Sequence, residues 1–304
     1  MTLPKTLSGI LPAVVTPFSD DSRFAQAPFE QLLERLYQSD VDGVYLCGST
    51  GEGLLQSVEQ RKRITETALR HSPPGKQVIV HVGASNTADA LELARHAASA
   101  GATAVSSLPP LSGSYSFGEI KDYYRTLAQA GDIPLLLYYF PEIAPVIRTA
   151  AQVLELCELD GVAGVKFTDF DLFTMKQLKQ AGAIVYYGRD EMLTAGLLFG
   201  ADGGIGTFYN VLPGAFVKLW QLAQQRRWEE MLPIQTQINE FIRISIRYPL
   251  FPAIKELLRW TGIDCGPCLA PRRQMLAQPD ADRLKNEIDA AGLRELLFRG
   301  ALAR

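Results

Sequence analysis

One lysine stands where a lysine is costly. Lys166 lies inside GVAGVKFT (161–168), with Val162-Ala163-Gly164-Val165 before it and Phe167 after it. Such an apolar run reads as a buried strand. Burial disfavours a charged ammonium, and a neutral amine attacks a ketone or aldehyde to form a Schiff base. The iminium that results is an electron sink for the adjacent carbon. The competing account is a strand-end lysine whose head reaches water. Other groups along the chain tilt the choice toward chemistry. GSTGEG (48–53) sets the hydroxyls of Ser49 and Thr50 among three glycines. A turn of that kind exposes backbone N–H groups and suits a carboxylate or phosphate. Tyr138, in IPLLLYYF (133–140), offers a phenol for relaying a proton, although a strand tyrosine also serves as packing. Thr168 ends the lysine run. GRDE (188–191) puts Gly188, Asp190 and Glu191 after another strand. Its carboxylates would hold sugar hydroxyls, or Asp190 would cap the helix that follows. Thr207 lies in GGIGTFYN (203–210).

The four cysteines add one distraction. Cys265-Gly-Pro-Cys268 has the spacing of a redox motif, but such a motif opens a helix after an early strand. This one follows the late helical stretch AIKELLRWTG. No second ligand pair is spaced to complete a zinc tetrahedron. The pair reads as a Gly-Pro turn with two incidental thiols, and Cys47 and Cys157 stand alone.

These residues need a scaffold that brings them together. Eight short β-branched runs recur: GILPAVVTPF (9–18), DGVYLCGS (42–49), QVIVHVG (77–83), TAVSSLPP (103–110), IPLLLYYF (133–140), GVAGVKFT (161–168), AIVYYGR (183–189) and GGIGTF (203–208). Amphipathic helical segments lie between them, from FEQLLERLYQ after the first run to EMLTAGLLFGAD after the seventh. Alternation of this kind argues for a parallel sheet covered on both faces. Eight units close as a (β/α)₈ TIM barrel, whose chemistry sits at the carboxyl ends of the strands. Every residue singled out above falls at such an end. An open doubly wound sheet would want a glycine-rich phosphate turn after its first strand, and VVTPFSDD has no glycine. The division expected is a barrel over 1–210, carrying the active site, and a C-terminal helical appendage over 211–304.

The totals agree with an ordinary globular protein. The chain has 304 residues, 47% hydrophobic and 21% charged, with a net charge of −3. No nucleic-acid footprint is visible in that balance. No apolar run approaches the roughly 18 residues of a membrane span, and MTLPKTLSGI lacks the apolar core of a signal peptide. The expected compartment is the cytoplasm.

In their order and on their strands, GSTGEG, YYFP (138–141) and GVKFT (164–168) resemble the motifs of the pyruvate-dependent Schiff-base aldolases. That superfamily includes dihydrodipicolinate synthase and N-acetylneuraminate lyase. The resemblance runs from about residue 8 to about residue 260. It implies a (β/α)₈ barrel with C-terminal helices, a homotetramer, and no metal or organic cofactor, since the lysine is itself the electron sink. It implies Lys166 as the Schiff-base lysine, Tyr138 as the proton relay, and Ser49 and Thr50 as holders of the carboxylate of a 2-oxo acid. HVGASNTADALELARHAA (81–98), KFTDFDL (166–172), YYGRDE (186–191) and GADGGIGTFYN (200–210) are similar to the N-acetylneuraminate lyase branch. By position this implies Gly188, Asp190, Glu191 and Thr207 as holders of the polyol tail of sialic acid, with Thr168 in the substrate-binding set.

The activity so implied is cleavage of N-acetylneuraminate to pyruvate and N-acetylmannosamine. EIAPV (142–146) has no arginine before Arg148, where dihydrodipicolinate synthases bind a dicarboxylic partner, which argues against that activity. The loop PPLSGSYSFGE (109–119) lacks the aromatic residue that many members lend across a subunit interface. Ser112 stands at that place and Tyr115 is displaced from it. Arg189 and Thr207 are also not the commonest choices in the lyase branch. An aldolase or dehydratase for 2-keto-3-deoxy sugar acids is the enzymatic alternative. A barrel that binds a 2-oxo acid or sugar acid without turnover is the alternative of another class.

Overall fold

The computed structural model describes residues 7–111 and 113–298. Each of the eight apolar runs contains a strand: β1 (Gly9–Pro12), β2 (Gly43–Leu46), β3 (Gln77–His81), β4 (Ala104–Ser107), β5 (Leu135–Tyr139), β6 (Val162–Phe167), β7 (Ile184–Tyr187) and β8 (Gly203–Gly206). All neighbours pair in parallel, in the order β1-β8-β7-β6-β5-β4-β3-β2. The ring closes where Ala13, just past β1, bridges Tyr45 and the Val14 N–H donates to the Tyr45 carbonyl at 2.9 Å. The result is the expected TIM barrel.

Helices α1 (Gln26–Gln38), α2 (Val58–His71), α3 (Thr87–Ala100), α4 (Phe117–Ala128), α5 (Ala150–Cys157), α6 (Leu172–Gln180), α7 (Leu193–Leu198) and α8 (Pro213–Gln224) follow the strands in turn. Several start on side-chain caps that satisfy otherwise orphaned N–H groups. Ser57 accepts from Gln60 N and Asn86 from Asp89 N. Ser116 with Glu119, and Thr149 with Gln152, form reciprocal capping boxes. Beyond the barrel lie α9 (Trp228–Ser245), α10 (Leu250–Trp260), α11 (Gln278–Ala290) and α12 (Arg294–Phe298). Among the described residues no helix is long and apolar enough to cross a membrane.

Strand periodicity decides which side chains face the barrel axis. On β2, β5 and β7, residues Val44, Leu46, Leu135, Leu137, Tyr139, Val185 and Tyr187 pack outward with the helices. Their alternates Tyr45, Leu136 and Tyr186 pack inward with Leu11, Ile79, Ala104 and Ile205. Both faces are apolar, so the runs look unbroken. Val165 and Phe167 of β6 belong to the outer layer. Lys166 lies between them and therefore points inward, in register with Tyr138 on β5 and Tyr186 on β7.

Candidate active site

The inward side chains change character along the barrel axis. Toward the amino ends of the strands they are Leu11, Ile79, Leu136 and Ile205. At the carboxyl ends stand Tyr45, His81, Tyr138 and Lys166. The rings of Tyr45, His81 and Tyr138 meet one another edge-on or tilted, with centroids 6.0–6.4 Å apart. Lys166 Nζ lies 3.6 Å from the Tyr138 ring centroid and 5.4 Å from that of Tyr45. It donates one hydrogen bond, to Thr168 Oγ1 at 3.2 Å. The side chain is 4% exposed, and among the described residues no carboxylate forms an ion pair with it. The burial of this amine is what the sequence pointed to.

Residues 49, 50, 138, 166, 168, 188, 190, 191 and 207 line one cavity of about 530 Å³, a volume suited to a small organic ligand. Ser49 and Thr50 come from the turn after β2. That turn is flanked by two non-glycine residues in the left-handed region, Cys47 at φ 55° and Glu52 at φ 56°. Each such residue stores about 1–3 kcal/mol of strain and persists only where its surroundings hold it. Thr16 Oγ1 and Gln56 Nε2 donate to the Gly51 carbonyl at 2.8 and 2.6 Å. Gly53 is needed for the tight return, because a Cβ there would stand 1.8 Å from the Cys47 carbonyl oxygen. Thr50 Oγ1 and Thr207 Oγ1 share a hydrogen bond of 2.7 Å. The strand-eight hydroxyl is thus tied to the strand-two turn.

The turn after β7 divides its two carboxylates. Asp190 is buried, and its Oδ2 accepts from Phe208 N at 2.7 Å. It opens the short 3-10 turn 190–192 but caps the turn that follows β8, not the helix that follows β7. Burial pushes its carboxyl up to about 7; the Phe208 N–H works the other way and the Glu191 charge adds to the rise. Gln235 of α9 donates to the Asp190 carbonyl at 3.1 Å and so pins this turn from outside the barrel. Glu191 is half-buried on the cavity wall. Gly188 leaves room for Thr168, since a Cβ there would come 2.1 Å from Thr168 Oγ1. Arg189 also lines the cavity, stacked 4.1 Å from the Phe170 centroid and ion-paired with Glu142.

Three residues of this site were not singled out in the sequence. Tyr45 donates to Ser106 Oγ at 3.1 Å and walls the lysine. His81 Nε2 accepts from Leu108 N at 3.2 Å. Burial, then the nearby Arg61 charge, holds His81 well below the usual histidine range. Arg61 is itself buried and donates to the carbonyls of Gly83 and His81 at 2.9 and 2.7 Å. The available signal was the inward phase of GVYL and QVIVH.

Other expectations fall elsewhere. Tyr115 lines a separate cavity with Ser85, Asn86 and Thr87, away from Lys166. Ser112 lies outside the described residues. Cys265 and Cys268 are buried free thiols, pushed up to about 12 and about 11 by burial. Among the described residues no group of three or more His, Cys, Asp or Glu side chains is placed to hold a metal ion.

Comparison with known proteins adds a lineage to this geometry. Residues 6–290 match the model of the dihydrodipicolinate synthetase family. An N-acetylneuraminate lyase of Rhizobium meliloti (strain 1021) is 35% identical over 291 residues, covering 95% of this chain and 94% of its own. The structure of CdNal from Clostridium difficile, solved in complex with mannosamine, superposes with a TM-score of 0.89 at 28% identity. It covers 97% of this chain and 100% of that one. A catalytic lysine mutant of the Ruminococcus gnavus sialic acid aldolase gives a TM-score of 0.90 at 27% identity, over 96% of this chain and 99% of that one.

Proposed function

Because this chain belongs to the dihydrodipicolinate synthetase family, on its N-acetylneuraminate lyase branch, we propose that it cleaves N-acetylneuraminate to pyruvate and N-acetylmannosamine through a Schiff base on Lys166. The observation that carries this reading is the buried amine of Lys166, which forms no ion pair with a carboxylate among the described residues and faces a cavity that also holds Asp190 and Glu191. The existence of a catalytic lysine in a sialic acid aldolase of the same fold supports it.

In this mechanism Ser49, Thr50 and their backbone N–H groups hold the C1 carboxylate of the open-chain sugar acid. The Lys166 amine adds to the C2 ketone, and water leaves to give the iminium. Tyr138 relays the proton from the C4 hydroxyl as the C3–C4 bond breaks, passing its own phenolic proton to the substrate carboxylate. The bonding pair flows to the iminium nitrogen, leaving an enamine and the aldehyde. The enamine gains a proton at C3, and one water hydrolyses the iminium to pyruvate and free amine. One water leaves and one is consumed, and the proton lifted from the hydroxyl is balanced by the one returned to C3. Acid–base help of this kind contributes about 10²–10⁴-fold. Glu191 and Asp190 bind the polyol tail, with Gly188, Thr168 and Thr207 shaping the wall around it. The lysine serves as the electron sink, so the reading calls for no metal or organic cofactor. It carries a homotetramer as the expected assembly, which light scattering measures.

One observation supports a second reading. Thr207 spends its hydroxyl on Thr50, one tail contact fewer for a long sugar, which favours a shorter 2-keto-3-deoxy sugar acid. A panel of N-acetylneuraminate, 2-keto-3-deoxygluconate, and pyruvate with aspartate semialdehyde separates these. Pyruvate release should be fastest from N-acetylneuraminate. A preference for 2-keto-3-deoxygluconate overturns the first reading in favour of the second, and turnover with none of them leaves a binding barrel.

A further inference from the structure

Glu52 has no role in the chemistry above, yet it is the most deeply buried carboxylate beside the cavity. It closes the GSTGEG turn in a left-handed conformation, φ 56°, with its side chain fully covered. The partners of its carboxylate come from the far end of the chain. Glu52 Oε2 accepts from Leu269 N at 2.8 Å. Lys255 Nζ, from α10, lies 3.1 Å from Oε1, a charge contact without hydrogen-bond alignment. The same ammonium donates to the Pro267 carbonyl at 2.7 Å and sits 4.6 Å from the Phe18 ring centroid. Arg272 Nε is 3.9 Å from Oε2, and its Nη2 donates to the Ser49 carbonyl at 3.3 Å. The Arg272 guanidinium stacks 3.7 Å from the centroid of Phe251, which itself lines the Lys166 cavity.

We infer that Glu52 is a positioning residue: through it, α10 and the segment 264–272 set the geometry of the Ser49–Thr50 turn that receives the carboxylate of a 2-oxo acid. The inference rests on the carboxylate-binding reading of Ser49 and Thr50 given above. Its logic is mechanical. Two strained residues bracket the turn, and a strained turn keeps one shape only if something holds both of its ends. β2 holds the Cys47 end. At the Glu52 end the hold comes from a buried ion, which is costly to leave unpaired, so the turn and the C-terminal segment adopt their positions together. Arg272 adds a direct grip on the Ser49 carbonyl, next to the hydroxyl proposed to touch substrate. The C-terminal segment therefore acts on affinity for the 2-oxo acid, and the chemistry at Lys166 is untouched by it.

The test is borohydride trapping of pyruvate, measured against pyruvate concentration and paired with thermal melting. Arg272→Met loses the Ser49 contact from a part-exposed position. It should melt like wild type and trap with a half-saturation raised about 3–10-fold, at an unchanged saturating rate, because a long 3.3 Å contact that acts through the turn falls in the range of an ordinary net hydrogen bond. Glu52→Gln combined with Lys255→Met removes both buried charges together, so no lone ion remains. It should raise half-saturation further, and Glu52→Asp alone should restore part of the affinity that Glu52→Gln loses. If the double variant fails to fold, Arg272→Met decides alone. Folded variants whose half-saturation stays at the wild-type value overturn the inference. A fall in saturating rate with half-saturation unmoved does so as well. Absence of trapping in the wild type itself would instead remove the Schiff-base reading on which the inference stands.

Discussion

Lys166 and Lys255 are equally buried, 4% and 3% exposed, and both sit beside aromatic rings. Their other partners differ. Lys255 has a buried carboxylate at 3.1 Å and a backbone carbonyl at 2.7 Å. Lys166 has a threonine hydroxyl at 3.2 Å and the faces of two tyrosines. A buried charge is costly unless it is paired, and Lys255 has its carboxylate in Glu52. Lys255 is thus braced by a buried ion pair, and on the proposed reading Lys166 is the lysine that reacts. Burial alone does not separate them; the missing carboxylate does.

The most severe way to break this comparison is to make both lysines apolar. Lys166→Met should abolish pyruvate trapping and cleavage outright, while thermal melting stays at the wild-type temperature or rises. Replacing an unpaired buried amine by methionine removes a desolvation cost and keeps the volume. A variant that loses stability would mean that Lys166 is structural. Lys255→Met should do the reverse. It strands Glu52 as a lone buried ion, a change worth about 3–5 kcal/mol of stability, read by urea unfolding. Below its lowered midpoint the protein should still trap pyruvate on Lys166. If Lys255→Met instead unfolds like wild type, the two lysines are not the contrasting pair that their neighbours indicate.

Much of this contrast was legible in the chain, for reasons that differ by residue. Lys166 announces itself because its four preceding neighbours and Phe167 are apolar, and strand periodicity then turns it inward. The caps Ser57, Asn86 and Ser116 are local, so helix starts were readable too. The runs overstate the strands: GILPAVVTPF spans 9–18, but the strand ends at Pro12 and its last bridge is at Ala13, because the chain stays apolar after it leaves the sheet. Glu52 and Lys255 are about two hundred positions apart in the sequence, and no pattern joins them. The ring of Tyr45, His81 and Tyr138 depends on the register of strands that pair only in three dimensions. The capping role weighed for Asp190 fell on another turn: its carboxylate accepts from the Phe208 amide, which β8 brings beside it, and the helix that follows β7 has no side-chain cap.

Asp190 gives a pH-dependent version of the same comparison, a buried acid in place of a buried base. Its carboxyl is pushed up to about 7 in the folded protein, from 3.8 as the ordinary value. Between those values the folded state holds a proton that the unfolded state has lost, so stability falls as pH rises through the window. The full shift would amount to about 4 kcal/mol as an upper figure. Asp190→Asn keeps an acceptor for Phe208 N and removes the titration. Its unfolding free energy should gain on that of wild type as pH rises from about pH 4 to about pH 7. His81, held below its usual range, supplies an opposite slope within the same window in both proteins, so it cancels in the difference. Equal slopes in variant and wild type would mean that Asp190 is ionised in the folded state throughout.

Glu191 sharpens the contrast within one turn. Asp190 gives one carboxylate oxygen to Phe208 N and is buried, whereas Glu191, beside it on the same cavity wall, is half-buried. A carboxylate that accepts from a substrate hydroxyl contributes roughly 1.5–3 kcal/mol. Glu191→Gln should therefore lower kcat/KM for N-acetylneuraminate by about 10–150-fold, with pyruvate trapping at Lys166 little changed. Loss of trapping to the same extent would show that Glu191 acts on the lysine and not on the sugar tail.

The smallest effect is expected at the two thiols that most resemble a reactive motif. Cys265 and Cys268 flank the Pro267 carbonyl that Lys255 grips, so they lie in the strut, away from Lys166. Their thiols are pushed up to about 12 and about 11, chiefly by burial, and the Lys255 charge offsets only part of that. Near neutral pH neither is a thiolate, and the thiolate is the form that reacts. Alkylation of the native protein should label neither residue until it unfolds. Cys265→Ala with Cys268→Ala should cost about 1–2 kcal/mol of packing and leave turnover within about twofold of wild type. A larger loss of turnover in a variant that melts cooperatively would place a working group in the strut. The division between a lysine that reacts and a lysine that braces would then no longer describe this end of the barrel.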